Sequence, residues 1–313
     1  MAKAIRIHGP GGTDALSFDD VEVAAPGPGQ ALLRQTAIGL NYIDVYHRTG
    51  LYPLEYPVAL GLEACGIVEA VGDGVTEVKV GDRVAYAGGP VGAYAEHRLM
   101  PAKLLVKVPD AVSDEQAAGV MVQGLTAHFL LRRTFIVREG TQCLIHAAAG
   151  GVGTIMCQWA KHLGAMVIGT VSSEEKAELA RANGCDHPII YTRENIVDRV
   201  KEITGGQGVS VVYDSVGKDT FMASLDCLRP FGLLVSFGQA SGPVPPFDIS
   251  LLAQKGSLYM TRPSMMDYMR DVQEYHQSAQ ELFALVGQGV INVHVGQTYP
   301  LEHTAQAHAD LEA

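Results

Sequence analysis

The feature that most constrains the fold is a regular alternation of apolar strands and amphipathic helices between residues 142 and 261. Strand-like segments occur at 142–146, 166–171, 188–191, 210–214, 232–237 and 257–261. Patterns at helical spacing separate most of them, at 152–163, 175–184, 194–203 and 219–228. Strands that alternate with helices of about 10–12 residues form βαβ units, so the sequence predicts a parallel, doubly wound sheet.

Terminal signals locate one of these helices. Ser172, followed by Glu175, has the spacing of a capping box that opens a helix, and Gly184 is expected to end it.

The first third of the chain has a different pattern. Short alternating segments at 3–8, 31–37, 66–71 and 83–86 are broken by Gly and Pro, which predicts strands and little helix. After residue 267 the pattern becomes helical and then returns to a strand at 291–295. We therefore predict a β-rich domain, residues 1–124 and 267–313, into which a Rossmann dinucleotide-binding domain, residues 125–266, is inserted.

Composition excludes several classes of protein. The chain has 23 Lys and Arg against 34 Asp and Glu, a net charge of −11, which counts against general binding to nucleic acid or anionic membranes. No apolar run reaches the ~20 residues of a membrane span, and the N-terminus lacks a signal peptide. The five cysteines are widely spaced without C-x-x-C, so we expect free thiols and a cytoplasmic location.

A glycine-rich turn separates the first strand of the alternation from its helix. The turn contains Ala149, Gly150, Gly151, Val152 and Gly153. Its glycines allow a tight turn and let the backbone approach a pyrophosphate closely. The helix N-terminus would add free N–H groups and partial positive charge. The spacing is not G-x-G-x-x-G, so close packing alone is an alternative explanation of the loop. The βα alternation that follows favours phosphate binding.

The end of the second strand bears on the choice of cofactor. Proteins that bind the ribose 2′-hydroxyl of NAD usually carry an acidic residue there, whereas this chain has Ser172, with Lys176 four residues later. This favours a 2′-phosphate and therefore NADPH. Alternatively, Ser172 only caps its helix and Lys176 is only a solvated surface residue. These structural roles can coexist with binding of the phosphate.

Several segments together resemble one family. They are AIGLNYID (37–44), RTGLYP (48–53), GLEACG (61–66), QGLT (123–126), HAAAGGVG (146–153), VYDSVG (212–217), SFG (236–238), QKGSLY (254–259) and TRPS (261–264). The chain resembles the quinone oxidoreductases of the zinc-free medium-chain dehydrogenase/reductase superfamily, the group that contains zeta-crystallin, over essentially its whole length. The resemblance implies an α/β fold, a Rossmann-type doubly wound sheet inserted in a β-rich GroES-like catalytic domain. It also implies a further strand after a helix at 305–312, where this chain ends.

The resemblance also implies site residues. Those expected at the nicotinamide end of the cofactor, and candidates for catalysis, are Asn41, Asp44, Tyr46, Tyr52 and Thr126. Asn41, Tyr46 and Thr126 are also expected to bind the cofactor, as is the loop Ala149 to Gly153. The other residues expected to bind the cofactor are Ser172, Lys176, Tyr191, Ser215, Phe237, Gly238 and Arg262. Each of these assignments has an alternative. Tyr46 and Tyr52 could be half-buried surface residues without a catalytic role, and Asp44 could be a structural helix cap.

The zinc enzymes of this superfamily place a Cys ligand where this chain has Asn41 and a His ligand where it has Leu62. Asn is a poor zinc ligand and Leu cannot be one, so we expect no metal. Without a metal to activate an alcohol, the substrate should accept hydride readily, as a quinone or an alkene conjugated to a carbonyl does.

The sequence therefore predicts an enzyme that reduces quinones by hydride transfer from nicotinamide C4 of NADPH. One alternative is an NADPH-dependent enone or enal reductase. Another, of a different class, is a nucleotide- or RNA-binding or structural, crystallin-like protein, although the acidic charge counts against RNA. We also expect a homodimer, because the apolar strand at 257–261 should lie at the sheet edge and needs a partner.

Overall fold

The computed structural model describes all residues from 1 to 313, and they divide into two units. The first unit is Met1–Leu125 with Arg270–Ala313, and the second is Thr126–Met269. The assignment of a catalytic role to one and a cofactor role to the other stays a prediction.

The elements are numbered along the chain. The strands are β1 (Ala2–Ile7), β2 (Ser17–Val21), β3 (Gln30–Ile38), β4 (Val58–Ala59), β5 (Glu63–Val71), β6 (Arg83–Ala87), β7 (His97–Pro101), β8 (Val106–Lys107), β9 (Gln142–Ile145), β10 (Met166–Val171), β11 (His187–Ile190), β12 (Val209–Asp214), β13 (Leu228–Ser236) and β14 (Tyr259–Thr261). The α-helices are α1 (Tyr42–Thr49), α2 (Asp114–Phe129), α3 (Gly151–His162), α4 (Glu174–Ala182), α5 (Ile196–Ile203), α6 (Phe221–Asp226), α7 (Ser250–Gln254), α8 (Met265–Tyr268), α9 (Val272–Gly287) and α10 (Thr304–Glu312).

The first unit is built on two antiparallel sheets. One has the strand order β2-β1-β4 and the other β7-β3-β5-β6-β8. The larger sheet buries one apolar cluster that includes Leu33, Val68, Val84 and Met100. Burial of these side chains supplies the hydrophobic free energy that holds the sheet and its loops together.

The second unit is a six-stranded parallel sheet with the order β11-β10-β9-β12-β13-β14. The chain starts in the middle at β9, builds outward to β11, and then crosses to build outward to β14. This is the doubly wound order of dinucleotide-binding folds, with a switch point between β9 and β12. The predicted fold class is confirmed.

The first third of the chain is mostly β, and α1 is its one α-helix, as the sequence predicts. Two local predictions are wrong. The strand at 291–295 does not form: Ile291 is buried but Val295 is exposed, and no neighbouring strand pairs with this segment. The helix at 219–228 is shorter, because Leu228 already belongs to β13, whose first half is hidden in the sequence by Pro230.

The turn between β9 and α3 leaves no space for a side chain at one glycine. A Cβ atom on Gly153 would lie 2.2 Å from the carbonyl oxygen of Ala147 and 2.9 Å from the Cα of Ala148. Both are backbone atoms, so relief requires the turn or the helix to move. Ala147 itself has a φ of 52°, in the left-handed region, so the turn is already strained.

We expect Gly153→Ala to destabilise the second unit by about 1–3 kcal/mol, because the added methyl overpacks the turn. Urea unfolding followed by the fluorescence of Trp159, the only tryptophan and a buried residue of α3, measures this directly. The matched control is Gly119→Ala in α2, where an added Cβ meets nothing within 4 Å. Circular dichroism should show that this substitution stabilises the protein by up to about 1 kcal/mol. Equal effects of the two substitutions would contradict the packing argument.

Candidate active site

Helix α1 begins at a pair of side chains that the sequence analysis selected. Asn41 is the N-cap, with extended backbone, and its N–H donates to Oδ2 of Asp44 at 2.9 Å. Gly50, with a φ of 81°, ends the helix. Asp44 is fully buried, so its carboxylate caps the helix and holds Asn41 rather than facing solvent.

A second buried carboxylate fixes the Asn41 side chain. Nδ2 of Asn41 donates to Oε1 of Glu63 at 2.6 Å, and the N–H of Val122 donates to Oε2 at 2.5 Å. Nε2 of Gln123 lies 3.4 Å from Oδ1 of Asn41. A Cβ atom on Gly39 would lie 2.2 Å from Oε1 of Glu63, so this glycine is required by the carboxylate. The Asn41 amide is therefore held in one orientation.

A hydrogen-bonded chain connects Asp44 to the C-terminal helix α10. Nη1 of Arg48 lies 3.0 Å from Nδ1 of His308, Nε2 of His308 lies 3.2 Å from the Tyr94 hydroxyl, and that hydroxyl donates to Oδ2 of Asp44 at 2.9 Å. A guanidinium can only donate, so Nδ1 of His308 must accept and Nε2 must carry the proton. The direction of every bond in the chain is thereby set, ending on Asp44.

Burial dominates the ionisation of these groups. It raises the pKa of Asp44 to about 7, against the lowering effects of the Asn41 N–H and the Tyr94 hydroxyl. It raises the pKa of Glu63 to about 8. Burial, and then the neighbouring Arg48, lower the pKa of His308 to about 4, so this imidazole stays neutral. Arg48 is balanced by Oε1 of Glu312 at 2.6 Å.

Three tyrosine rings follow Asn41. The ring centroids of Tyr42 and Tyr46 are 5.4 Å apart and those of Tyr46 and Tyr52 are 5.2 Å apart, both edge to face. The N–H of Tyr52 donates to the carbonyl of Tyr46 at 3.1 Å. Tyr46 and Tyr52 are half-buried. Their substrate role stays a prediction.

In the second unit, the predicted cofactor residues follow the carboxyl ends of successive parallel strands, at one edge of the sheet. The glycine loop follows β9, Ser172 and Lys176 follow β10, and Tyr191 follows β11. Ser215 follows β12, Phe237 and Gly238 follow β13, and Arg262 follows β14. Thr126 lies in α2, and its hydroxyl contacts the sulfur of Met265, which follows β14, at 3.7 Å.

The start of α3 fits a phosphate. Gly150 is the N-cap and Gly151 the first helical residue, and both are exposed. The N–H of Gly150 donates to the carbonyl of Ala147 at 2.9 Å. The first N–H groups inside a helix have no acceptor within it, so those from Gly151 onward suit an anion.

A buried polar network fixes the same edge of the sheet. Nδ1 of His146 lies 2.9 Å from Oγ1 of Thr170, and Nε2 lies 3.0 Å from Oγ of Ser224, which donates to Asp214 at 2.7 Å. Asp214 also accepts from the N–H groups of residues 216 and 217 at 2.8 and 3.0 Å. The network connects β9, β10, α6 and β12, and it shapes the turn that carries the predicted residue Ser215.

Helix α4 begins one residue later than predicted. Ser173, not Ser172, is the N-cap, and its Oγ accepts from the N–H of Lys176 at 3.3 Å. Ser172 precedes the helix, so it does not share a helical face with Lys176, and the capping-box prediction is wrong. Two adjacent serines make the register ambiguous in the sequence. Lys176 and Tyr191 are both exposed beside this turn.

The last two strands border a cavity of about 530 Å³. A guanidinium N–H of Arg262 donates to the carbonyl of Ser236 at 2.9 Å. A Cβ atom on Gly238 would lie 2.4 Å from the Ser215 carbonyl oxygen, so the turns after β12 and β13 touch. The residues around the cavity are Ser236, Gly238, Gln239, Pro243, Val244, Pro245, Pro246, Phe247, Met260 and Arg262.

No group of three or more His, Cys, Asp or Glu side chains lies close enough together to hold a metal ion. All five cysteines are free and buried. No helix is long and apolar enough to cross a membrane. The expectation that the protein binds no metal stays a prediction.

Sequence reasoning missed the residues that support the predicted ones. Glu63, Tyr94 and His308 were not selected, although a single acidic residue at the start of an apolar strand is a signal for a buried, paired carboxylate. His146 and Asp214 lie in the quoted motifs but were given no role. Their partners are distant in sequence, and only the fold brings them together.

Known proteins resemble this chain over its whole length. Residues 151–284 match the zinc-binding dehydrogenase family, and residues 27–110 match the alcohol dehydrogenase GroES-like domain. Quinone oxidoreductase of Pseudomonas aeruginosa is 52% identical, covering 100% of this chain and 97% of that protein. The 2-haloacrylate reductase of a Burkholderia species is 49% identical, covering 98% and 95%.

The crystal structure of Escherichia coli quinone oxidoreductase complexed with NADPH matches with a TM-score of 0.97 at 47% identity, covering 99% of this chain and 96% of that one. A GroES-like domain joined to a doubly wound sheet defines a medium-chain dehydrogenase/reductase. Within that superfamily, this chain belongs to the quinone oxidoreductase family.

We expect Asp44→Asn to change how stability depends on pH. The amide oxygen of Asn can still accept from the Asn41 N–H and the Tyr94 hydroxyl, but it cannot ionise. In wild type the unfolded carboxyl loses its proton near pH 4 and the folded one only near pH 7. Wild type therefore loses stability relative to Asp44→Asn as the pH rises from about 4 to 7, by roughly 3–4 kcal/mol, and the difference is constant above that.

Urea unfolding of both proteins at pH 5, 6, 7 and 8 measures this difference. Asp110→Asn, an exposed residue, is the control and should show no such trend. A difference that does not grow between pH 5 and pH 7 would mean that the Asp44 carboxyl ionises normally in the folded protein.

Proposed function

We propose that this chain is an NADPH-dependent quinone reductase that transfers hydride without a metal ion. The observation that carries the proposal is the carboxyl edge of the parallel sheet, where an open helix N-terminus and six successive turns hold polar or glycine residues. The family relationship, including an Escherichia coli relative crystallised with NADPH, supports the same function.

The second unit would bind the cofactor. The exposed N-terminus of α3 suits the pyrophosphate, which places the adenosine half over β9 to β11 and the nicotinamide half over β12 to β14. The cavity beside Gly238 and Arg262 supports the latter position. Position 172 holds a serine and not an acidic residue, and Lys176 and Tyr191 are nearby. This combination favours a cofactor with a 2′-phosphate over one with a free 2′-hydroxyl.

The first unit would bind the acceptor. NADPH, when bound, supplies the hydride. The hydroxyls of Tyr46 and Tyr52 can donate to a quinone oxygen that gains negative charge, and their ring faces can pack on a flat acceptor. Asn41 can orient the cofactor or the acceptor because Glu63 and Asp44 hold it in place. Asp44 is buried, so we assign it a positioning role rather than contact with substrate.

Reduction of a double bond conjugated to a carbonyl or carboxylate is the second candidate, because the relative named 2-haloacrylate reductase is 49% identical. Steady-state rates with 1,4-benzoquinone, naphthoquinones, enals and 2-chloroacrylate, each with NADPH and NADH, distinguish the two. The proposal requires kcat/KM with quinones to exceed that with any alkene. The reverse order would assign the chain to the second function.

We also propose a homodimer and a cytoplasmic location. Strand β14 lies at the sheet edge, and Tyr259 on it is 62% exposed, so a second copy could pair there. Five free thiols favour a reducing compartment. Light scattering at micromolar concentration should give twice 33.3 kDa, and a monomer would contradict the dimer.

Loss of Lys176 should narrow the preference for NADPH. Its ammonium can make a charge-assisted hydrogen bond to the 2′-phosphate, typically worth about 1.5–3 kcal/mol, so Lys176→Ala should weaken NADPH roughly 10- to 100-fold. NADH lacks the phosphate and should bind nearly as before. Calorimetric titration of both cofactors measures this, with Lys201→Ala in α5 as control. Equal weakening of both cofactors would make Lys176 an ordinary surface residue.

Loss of the Tyr52 hydroxyl should affect the acceptor and not the cofactor. If this hydroxyl stabilises charge on the quinone oxygen, Tyr52→Phe should lower kcat/KM for 1,4-benzoquinone roughly 10-fold or more and leave the NADPH Kd unchanged. Tyr259→Phe, in the other unit, is the control. Unchanged kinetics would leave Tyr52 with a packing role only.

A further inference from the structure

The turn after β11 carries a second cation besides the predicted residues. Arg193 lies two residues beyond Tyr191, and its Nη1 is 3.5 Å from Oε2 of Glu174, the first residue of α4. We propose that Arg193 is a specificity-determining residue that exchanges Glu174 for the cofactor 2′-phosphate. The inference rests on the proposed NADPH-dependent function and deepens it.

The backbone brings Arg193 to this position. Oγ1 of Thr192 donates to the carbonyl oxygen of Ser172 at 3.1 Å, which joins the turn after β11 to the turn after β10. The N–H of Arg193 donates to the carbonyl of Ile190 at 2.9 Å, so the residue belongs to a tight turn. Its guanidinium consequently reaches the first turn of α4, the turn that also carries Lys176.

The pair between Arg193 and Glu174 is weak enough to exchange. The side chains are 67% and 56% exposed, and they meet through one nitrogen and one oxygen. Exposed ion pairs of this kind contribute little. A phosphate dianion carries more charge and matches the planar fork of a guanidinium with two parallel hydrogen bonds. Arg193 therefore gains by leaving the carboxylate for the phosphate.

Arg193 also offsets the acidic residues that lie beside the proposed site of the 2′-phosphate. Glu174 and Glu175 lie at the start of α4, where their negative charge would repel a 2′-phosphate but not the 2′-hydroxyl of NADH. Oε1 of Glu174 also faces Nη1 of Arg181 at 3.6 Å. The same Nη1 donates to Oε1 of Glu178 at 2.7 Å, so Arg181 is engaged within α4 and does not turn to the phosphate. The two arginines thus differ in role although they share one partner.

The test compares four variants with wild type by calorimetric titration. They are Arg193→Ala, Glu174→Gln, the double variant, and Arg181→Ala as the matched control. The ligands are NADPH and NADH, with adenosine 2′,5′-bisphosphate and 5′-AMP as fragments that differ only in the phosphate. All three positions are exposed, and circular dichroism verifies folding.

Arg193→Ala should weaken NADPH and adenosine 2′,5′-bisphosphate by about 5- to 10-fold and change NADH and 5′-AMP by less than about 2-fold. Arg181→Ala should change all four ligands by less than about 2-fold. Glu174→Gln should tighten NADPH binding by about 2- to 5-fold because Arg193 is no longer engaged. Most of this gain should disappear in the double variant, where only the relief of repulsion remains.

Two results would overturn the role of Arg193 while leaving the NADPH assignment intact. In the first, wild type binds NADPH more tightly than NADH, but Arg193→Ala weakens the binding of both cofactors equally or of neither. The other is a gain from Glu174→Gln that persists in full without Arg193, since the carboxylate would then act by repulsion alone. A wild type that prefers NADH would instead remove the cofactor assignment itself, and the inference with it.

Discussion

Every strand of a parallel sheet ends at the same edge, and this constraint organises the second unit. Residues scattered from 149 to 262 in the sequence reach one edge because β9 to β14 run in one direction. The buried network of His146, Ser224 and Asp214 keeps the central strands and turns of that edge in register. Such a network is fully hydrogen-bonded, so burial in a low-dielectric interior makes it rigid rather than costly.

The first unit depends on a different arrangement, two buried carboxyl groups on either side of one asparagine. Asp44 holds the backbone of Asn41 and Glu63 holds its amide. Tyr94 and His308 extend the contacts of Asp44 to the C-terminal helix, so residues distant in sequence help to set the geometry of the candidate site. Asn41 can thus serve as a fixed polar group where zinc enzymes of the superfamily have a metal ligand.

The sequence predicted the parallel sheet well, since alternating strands and helices leave few other topologies. It predicted the turns that carry candidate residues for the same reason. It failed where the cause is tertiary. The start of β13 was hidden by Pro230, and the cap of α4 was off by one because Ser172 and Ser173 are equivalent locally. The role of Glu63 was not predicted, because its partners Asn41 and Val122 come from distant segments.

The central claim is that this chain moves hydride from NADPH to a quinone with its own side chains and no metal. The most direct measurement is a single-turnover reaction of chelator-treated protein, its metal content determined by elemental analysis, with NADPH deuterated at C4 and 1,4-benzoquinone. NADPH oxidation should show a primary isotope effect and a rate unchanged by the chelator. A rate that falls on chelation and returns with stoichiometric zinc would contradict this claim.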